Sequence, residues 1–220
     1  MLPYQRRFLQ LALRCDVLRF GEFILKSGRT SPYFFNAGRF ASGSALAALA
    51  ECYADAAAAD GLTYDMLFGP AYKGIPLATA LAVALAQRGR DLPVAFNRKE
   101  AKTHGEGGNL MGAPLGGRIL IVDDVITAGT AVRESVELIR QAGAEVVGVL
   151  VALDRQERGA GGRSATAEVA AEFGVRVIAI ARLNELLAYT DEDPELASQH
   201  ARLSEYRQRY GAVGATGESQ

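Results

Sequence analysis

A short apolar run that ends in two acidic residues constrains this chain more than any other stretch. Residues 119–122 are Ile-Leu-Ile-Val, a run typical of a buried strand in a parallel sheet, and Asp123 and Asp124 follow at once. Small residues then form Thr127-Ala-Gly-Thr130, and apolar side chains recur at helical spacing beyond it. The stretch therefore predicts a strand, a tight loop and the N-terminus of a helix.

The predicted loop has the composition of a phosphate site. Backbone N–H groups are free at the start of a helix, and Gly129 lets the backbone approach a ligand closely. Asp123 and Asp124 cannot bind an anion, so they must accept hydrogen bonds from hydroxyl groups, as in a cis diol, or face a cation. The plainer alternative is that Asp124 caps the helix and Asp123 is a solvated strand end. Both acids directly before the loop favour a site for a phosphorylated sugar.

Strands and helices alternate through the rest of the chain, which predicts a parallel sheet covered by helices on both faces. Ligands of such sheets bind at the carboxyl ends of the strands. Strands are predicted near Asp65–Phe68, Pro93–Phe96, Arg118–Val122, Glu145–Leu153 and Val175–Ile180. Helices are predicted at Gly74–Gln87, Thr130–Ala142, Ala165–Phe173 and, near the C-terminus, Glu195–Arg209.

The N-terminal part is predicted to form a helix from Pro3, short strands within Val17–Lys26 and Ser31–Asn36, and a helix capped by Ser42. A chain of 220 residues suits one α/β domain, which we expect to span residues 1–210. Residues 211–220 are expected to be a disordered tail.

Charge and hydropathy limit the partners. The net charge of −1 argues against a protein that coats nucleic acid. No segment approaches the roughly 20 apolar residues of a membrane span, and no secretory signal is evident, so we expect a cytoplasmic protein without membrane or nucleic-acid partners.

Two further segments fall at predicted strand ends. Gly69-Pro-Ala-Tyr-Lys-Gly74 is not a Walker A loop, because its Lys precedes the last Gly and no Ser or Thr follows; alone it would be an ordinary turn. Residues 97–108 are polar and Gly-rich and gather several basic side chains. This composition predicts a mobile lid that closes over a multiply charged anion, with a solvated surface loop as the alternative.

The strand, the two acids and the hydroxyl-rich loop resemble the 5-phosphoribosyl-1-pyrophosphate (PRPP) binding motif of type I phosphoribosyltransferases. In that family the acids hold the ribose hydroxyls and the loop holds the 5-phosphate. Residues 69–74 resemble the family's pyrophosphate loop, with Tyr72 and Lys73 matching, and the resemblance implies a cis peptide bond between Ala71 and Tyr72. The lid narrows the resemblance to the orotate phosphoribosyltransferase family, whose catalytic loop it matches at Arg98, Lys99, Lys102, His104 and Glu106.

Further matches concern the base. Lys26, Phe34 and Phe35 correspond to residues that contact the base and PRPP in this family, and Arg155 stands where it contacts orotate. An aromatic wall can stack on a pyrimidine, and a guanidinium can pair with its carboxylate. Neighbours in a strand point to opposite faces, so at most one of the two phenylalanine rings can lie flat on a ligand. Core packing for the phenylalanines and a surface position for Arg155 are the alternatives.

The resemblance implies a type I phosphoribosyltransferase fold, a parallel sheet flanked by helices with a small hood. It implies transfer of phosphoribose from PRPP to orotate, giving orotidine 5′-monophosphate and pyrophosphate on the route to UMP, with Mg²⁺ and no protein metal ligands. It also implies a homodimer whose active sites are shared across the interface. A PRPP-binding regulator and a purine-base transferase are the alternatives. The implied catalytic residues are Lys102, His104, Glu106, Asp123 and Asp124; the implied binding residues are Lys26, Phe34, Phe35, Tyr72, Lys73, Arg98, Lys99, Val125, Ile126, Thr127, Ala128, Gly129, Thr130, Ala131 and Arg155.

Overall fold

The computed structural model describes residues 1–25, 27–102, 108–159 and 161–212, without the side chains of residues 100–102 and 108. The strands are β1 (Leu18–Ile24), β2 (Thr30–Phe35), β3 (Met66–Gly69), β4 (Val94–Lys102), β5 (Gly108–Gly112), β6 (Arg118–Asp123), β7 (Glu145–Asp154) and β8 (Arg176–Arg182). The α-helices are α1 (Pro3–Arg14), α2 (Gly43–Asp60), α3 (Gly74–Gln87), α4 (Thr130–Gln141), α5 (Ala165–Phe173), α6 (Leu183–Glu192) and α7 (Ala197–Tyr210).

The main sheet has the order β5-β4-β3-β6-β7-β8. β3, β4, β6, β7 and β8 are parallel, and β5 pairs antiparallel to β4 at the edge. The carboxyl ends of the parallel strands therefore meet at one edge of the sheet, as the sequence predicted. The α/β fold class is confirmed.

Alternate residues of the central strands face two separate apolar layers. Leu67 and Leu120 pack into the larger cluster with α2 and α3, whereas Phe68 and Ile121 pack into the second cluster with α4 and α5. Each of these side chains is fully buried. Burial on both faces explains why β3 and β6 are continuous apolar runs without polar alternation.

A small hood lies beside the sheet. β1 and β2 form a two-stranded antiparallel ribbon, and α7 packs against β2. Tyr33 of β2 and Tyr206 of α7 meet edge to face with ring centroids 6.2 Å apart. The chain's last helix is thereby attached to its first strands.

Helix ends follow the capping chemistry in the sequence. The Ser42 side chain accepts a hydrogen bond from the Ala45 N–H at the start of α2, and Gly61 ends that helix with φ 74°. The helices Gly74–Gln87 and Ala165–Phe173 have the predicted bounds. The sequence analysis did not specify α6, which begins directly after β8 without a connecting loop. No helix in the described part of the chain is long and apolar enough to cross a membrane.

The segment that the sequence predicted as a mobile loop forms strands at both of its ends. Residues 97–102 continue β4, and 108–112 form β5, with Asn97 opposite Leu110 and Lys102 opposite Gly108. Antiparallel pairing within a hairpin satisfies the backbone of this polar stretch, which composition alone did not indicate. Residues 103–107 lie outside the described residues.

The predicted tail begins with two described residues. The Ala212 N–H donates to the Gln156 carbonyl at 2.9 Å, and Gly211 forms a β-bridge with Glu157. Residues 213–220 lie outside the described residues.

Candidate active site

An ion pair joins two of the three segments that the sequence analysis singled out. Lys73 Nζ donates to Asp124 Oδ2 at 2.6 Å, although the two residues are 51 positions apart. Asp124 is buried, whereas the Lys73 side chain is 54% exposed. A cationic group that can reach pyrophosphate therefore stands directly beside an acid that can hold ribose hydroxyls.

The two acids have different surroundings. Asp123 Oδ1 accepts the Asp124 backbone N–H at 2.8 Å, and the buried Tyr53 hydroxyl donates to the Asp123 carbonyl at 2.8 Å. Burial, followed by the nearby Asp124 charge, raises the pKa of Asp123 from 3.8 to about 7. The Asp124 carbonyl accepts the N–H groups of Ala152 and Leu153, which ties the acidic pair to β7. Asp124 does not cap α4, whose N-cap residue is Gly129.

We expect Asp123→Asn to stabilise the ligand-free protein more at pH 8 than at pH 5. The raised pKa means that folding retains a proton on Asp123 between about pH 4 and pH 7, so its contribution to stability is lost as the pH rises through that range. Asparagine never carries the buried charge. The measurement is the melting temperature of both proteins at the two pH values, without PRPP or Mg²⁺, and we expect the gap to widen by several degrees.

Asp65→Asn is the matched control for that experiment. Hydrogen bonds from Arg118 lower the pKa of the exposed Asp65 to about 2, so its contribution is complete above pH 5 and constant up to pH 8. A gap between wild type and Asp123→Asn that stays constant from pH 5 to pH 8 would contradict the buried charge.

The segment from Gly69 to Gly74 is shaped by close backbone approaches. A Cβ on Gly69 would lie 2.4 Å from the Gly74 carbonyl oxygen, and one on Gly74 would lie 2.8 Å from the Val122 oxygen, so only glycine fits either position. The Ala71 N–H donates to Asn97 Oδ1 at 2.6 Å. The peptide bond between Ala71 and Tyr72 is cis, as predicted. The segment is thus packed against β6 and bonded to β4.

The phosphate loop precedes α4. Gly129 has φ 73°, a conformation that glycine adopts without strain, and Thr127, Ala128 and Thr130 are exposed. Arg133, one turn into α4, donates from Nη1 to the Ala128 carbonyl at 2.6 Å and pairs with Glu172 of α5. The Ala128 carbonyl therefore points toward Arg133 of α4, and the exposed loop residues can face an anion. Val125 and Ile126 pack against the two different apolar clusters and anchor the loop.

The phenylalanine pair of β2 points to opposite faces. Phe34 stacks on Phe23 with centroids 5.4 Å apart, and Phe35 packs near Phe8 at 6.1 Å. Arg19 lies over the rings of Phe23 and Phe34. Phe35 packs against the edge of the core, whereas Phe34 is half-buried between Phe23 and Arg19.

Arg155 lies directly after β7 and is mostly buried. Its Nε donates to Glu157 Oε1 at 2.7 Å, its Nη2 donates to Ser31 Oγ at 3.1 Å, and its guanidinium lies 4.2 Å from the Tyr33 ring centroid. The alternative of a free surface arginine is wrong. The guanidinium is held between the hood and the sheet edge.

The remaining predicted site residues lie on the lid hairpin or outside the described part. Arg98 is half-buried and Lys99 exposed on β4, and Lys99 Nζ lies 5.3 Å from the Tyr72 ring centroid. Lys26, His104 and Glu106 lie outside the described residues, as does the Lys102 side chain. Ala131 continues the first turn of α4.

Four residues that support the site were not singled out from sequence. Tyr53, Asn97, Arg133 and Glu157 each hold a predicted site residue or its loop by a hydrogen bond. Arg133 follows Gly129 by one helical turn, and that spacing could have suggested it. Glu157 follows Arg155 by two residues, so the sequence shows the two opposite charges side by side. Tyr53 and Asn97 come from distant elements, and spacing carries no signal of their contacts.

Among the described contacts, those at the carboxyl end of β6 bring together two groups that could bind a metal ion, the carboxylates of Asp123 and Asp124. Within the described residues no group of three or more His, Cys, Asp or Glu side chains could hold a metal ion. Two adjacent acids beside a phosphate loop suit a hard cation held mainly by substrate oxygens, so they fit Mg²⁺ bound together with PRPP.

A sheet edge that joins a lysine loop, an acidic pair and a helix-start phosphate loop defines a phosphoribosyltransferase, and residues 41–170 match the phosphoribosyl transferase domain family. Similar proteins indicate which phosphoribosyltransferases the chain resembles in sequence. The chain is 60% identical over 211 residues to an orotate phosphoribosyltransferase of Marinobacter nauticus, covering 96% of this chain and 100% of that protein. It is 64% identical over 214 residues to one of Xanthomonas euvesicatoria pv. vesicatoria, covering 96% and 98%. The chain belongs to the orotate phosphoribosyltransferase family.

The fold agrees with a solved member of that family. The crystal structure of orotate phosphoribosyltransferase from Francisella tularensis matches with a TM-score of 0.83 and 42% sequence identity, over 93% of this chain and 99% of that one.

Proposed function

We propose that this protein transfers the 5-phosphoribosyl group of PRPP to orotate, giving orotidine 5′-monophosphate and pyrophosphate. The observation that carries the proposal is the 2.6 Å contact between Lys73 and Asp124. It places a side chain that can bind pyrophosphate next to one that can bind ribose, beside a loop that can hold the 5-phosphate. PRPP carries these three groups on one sugar ring.

Each group of PRPP has a matching segment. Asp123 and Asp124 accept hydrogen bonds from the ribose hydroxyls, since a carboxylate is an acceptor when ionised. Backbone N–H groups and hydroxyls of residues 127–130 bind the 5-phosphate at the start of α4. Lys73 and Tyr72 face the pyrophosphate, and PRPP thus replaces the direct ion pair between Lys73 and Asp124.

The reaction needs no nucleophilic side chain. A ring nitrogen of orotate attacks C1 of the ribose while the C1–O bond to pyrophosphate breaks, through a transition state with oxocarbenium character. The protein contributes by aligning the two substrates and by placing charges where charge develops. Carboxylates near the ribose stabilise positive character on the sugar, and cationic lid residues stabilise the departing pyrophosphate.

Mg²⁺ would lie beside Asp123 and Asp124, where it would neutralise phosphate oxygens. Its ligands would be substrate oxygens and water, with the two acids balancing its charge and not binding it directly. The raised pKa of Asp123 fits this arrangement, because a nearby cation favours the ionised carboxylate.

The base is held between the hood and the edge of the sheet. Arg155 presents a charged donor for the orotate carboxylate, and Phe34 offers an apolar ring for the pyrimidine. Adenine, hypoxanthine and uracil have no carboxylate, so the buried guanidinium favours orotate over these bases. Removing one partner of a buried charged contact is costly, which supports discrimination of this kind.

The test is a substrate panel. The loss of orotate absorbance is followed after PRPP and Mg²⁺ are added, beside parallel reactions with adenine, hypoxanthine and uracil. We expect consumption of orotate alone. No change with orotate would refute the proposal: consumption of a purine would indicate a purine-base transferase, and PRPP binding without any turnover would indicate a regulator.

We also propose that the active protein is a homodimer in which the lid of one subunit completes the site of the other. The β4–β5 hairpin carries Arg98, Lys99 and Lys102 beyond the end of β3, whose last pair is Gly69 with Phe96. β5 is an edge strand, and Leu110 and Met111 on it are exposed. An exposed apolar edge next to a basic hairpin supports contact with a second copy.

Subunit complementation is expected to follow from a shared site. Asp124→Asn and Lys102→Ala should each be nearly inactive alone. Mixing them in equal amounts should restore up to about a quarter of the wild-type activity at equal total protein, because about half of the dimers are heterodimers and one of the two sites in each is intact. The measurement is orotate turnover after subunit exchange, with a tag on one variant to quantify heterodimer. Heterodimer without regained activity would contradict the shared site.

A further inference from the structure

We propose that Tyr206 and Glu157 are positioning residues that hold Arg155 toward the orotate carboxylate, so that the end of the C-terminal helix forms part of the base subsite. The inference rests on the proposed function. It assigns a role to α7, whose residues lie outside the matched domain range of 41–170.

Arg155 and Glu157 form a nearly buried pair with a defined direction. Arg155 Nε and Nη2 lie 2.7 Å and 2.6 Å from the same oxygen, Glu157 Oε1, and the side chains are 17% and 15% exposed. Nη2 also donates to Ser31 Oγ. Among the described contacts these use the Nε and Nη2 side of the guanidinium, so the Nη1 side is the one presented to a ligand.

Tyr206 fixes the Glu157 carboxylate. Its hydroxyl donates to Glu157 Oε1 at 3.0 Å, so one oxygen accepts from both the arginine and the tyrosine. The ring of Tyr206 in turn meets Tyr33, over which the guanidinium lies. The planar arginine is therefore confined by a ring on one face and by directed hydrogen bonds along one side. Loss of the tyrosine hydroxyl removes the bond that ties this carboxylate to α7.

The main chain that follows Arg155 is hydrogen-bonded to the C-terminal end of α7. The Arg158 N–H donates to the Tyr210 carbonyl and the Ala212 N–H donates to the Gln156 carbonyl, both at 2.9 Å. Gln156, which follows Arg155 directly, has a positive φ of 50°. Backbone and side-chain bonds to residues 206–212 thus set where Arg155 lies after β7.

This arrangement selects orotate by direction more than by net charge. Glu157 offsets the positive charge of Arg155 and also lies 4.0 Å from Arg29 Nη1, so one carboxylate is shared by two guanidinium groups. Binding of the orotate carboxylate then depends on the fixed geometry of the remaining donors, since hydrogen bonds to charged groups weaken steeply when misaligned. Tyr206→Phe is the cleanest probe, because it changes no charge and keeps the ring.

The experiment measures steady-state kinetics for Tyr206→Phe, with Tyr64→Phe as the control, because the Tyr64 hydroxyl has no hydrogen-bond partner among the described residues and its ring packs with Arg90. We expect Tyr206→Phe to raise KM for orotate about three- to tenfold, the effect of one ordinary hydrogen bond. We expect kcat and KM for PRPP to stay within twofold, and Tyr64→Phe to match wild type.

A double-mutant cycle tests whether Tyr206 acts through Arg155. In the Arg155→Ala background, Tyr206→Phe should leave kcat/KM for orotate unchanged, because there is no guanidinium left to position. Equal losses in both backgrounds would overturn the inference, as would unchanged KM in the single variant or equal rises in both KM values with a lowered melting temperature. These outcomes leave the proposed function intact, whereas wild-type protein that does not consume orotate refutes both.

Discussion

Replacing Lys102 with alanine is expected to lower kcat by about 10²–10³, roughly 2.7–4 kcal/mol at the transition state, and to leave KM for PRPP little changed. Charge on the departing pyrophosphate grows as the C1–O bond stretches, and a preorganised donor acts most strongly on that growing charge. In the proposed function, ground-state PRPP is already held by Lys73 and by residues 127–130. The measurement is steady-state kinetics, with single-turnover data in case product release limits the wild type.

Arg155→Ala provides the contrast. In the proposed function Arg155 contacts the base and not the leaving group. We therefore expect the substitution to raise KM for orotate more than KM for PRPP, with a smaller effect on kcat. If Lys102→Ala instead raised KM for PRPP and kept full turnover, the lid would be a binding clamp and the assigned role would be wrong.

Replacing Asp124 with asparagine is expected to lower kcat/KM for PRPP by about 10²–10⁴. Two hydrogen bonds from ribose hydroxyls to a charged acceptor are weakened, each worth about 1.5–3 kcal/mol. In the ligand-free protein Lys73 also loses the charge of the carboxylate that lies 2.6 Å away. The measurement is kcat/KM at saturating orotate, together with the melting temperature.

The chain offers a matched control for this substitution. Asp65 is also an aspartate paired with a basic residue, Arg118, but it lies at the opposite end of the sheet. We expect Asp65→Asn to keep wild-type kinetics. The backbone carbonyl of Asp124 keeps its bonds to β7 in the variant, so a folded protein is expected. Activity of Asp124→Asn within threefold of wild type would refute the role of this carboxylate.

Local signals in the sequence determined most of the secondary structure. The Ser42 cap and Gly61 bound α2, and the apolar run before Asp123 forms β6 as predicted. These features depend on neighbours within a few residues, which is why periodicity and capping rules recover them. The strand–loop–helix around the acids also predicted which edge of the sheet carries the site, because parallel strands end together.

Contacts between distant segments were decided only by the tertiary structure. Residues 97–102 are polar enough for a loop, yet they form a strand because β5 supplies hydrogen-bond partners. Spacing also could not show that Tyr206 bonds to Glu157, or that Tyr53 holds the end of β6, since each bond joins elements brought together by packing. The sequence by itself predicted which residues bind phosphate, ribose and base; the tertiary structure decided how Lys73, Asp124 and Arg155 are oriented, because their orientation depends on hydrogen-bond partners that lie up to 124 positions away.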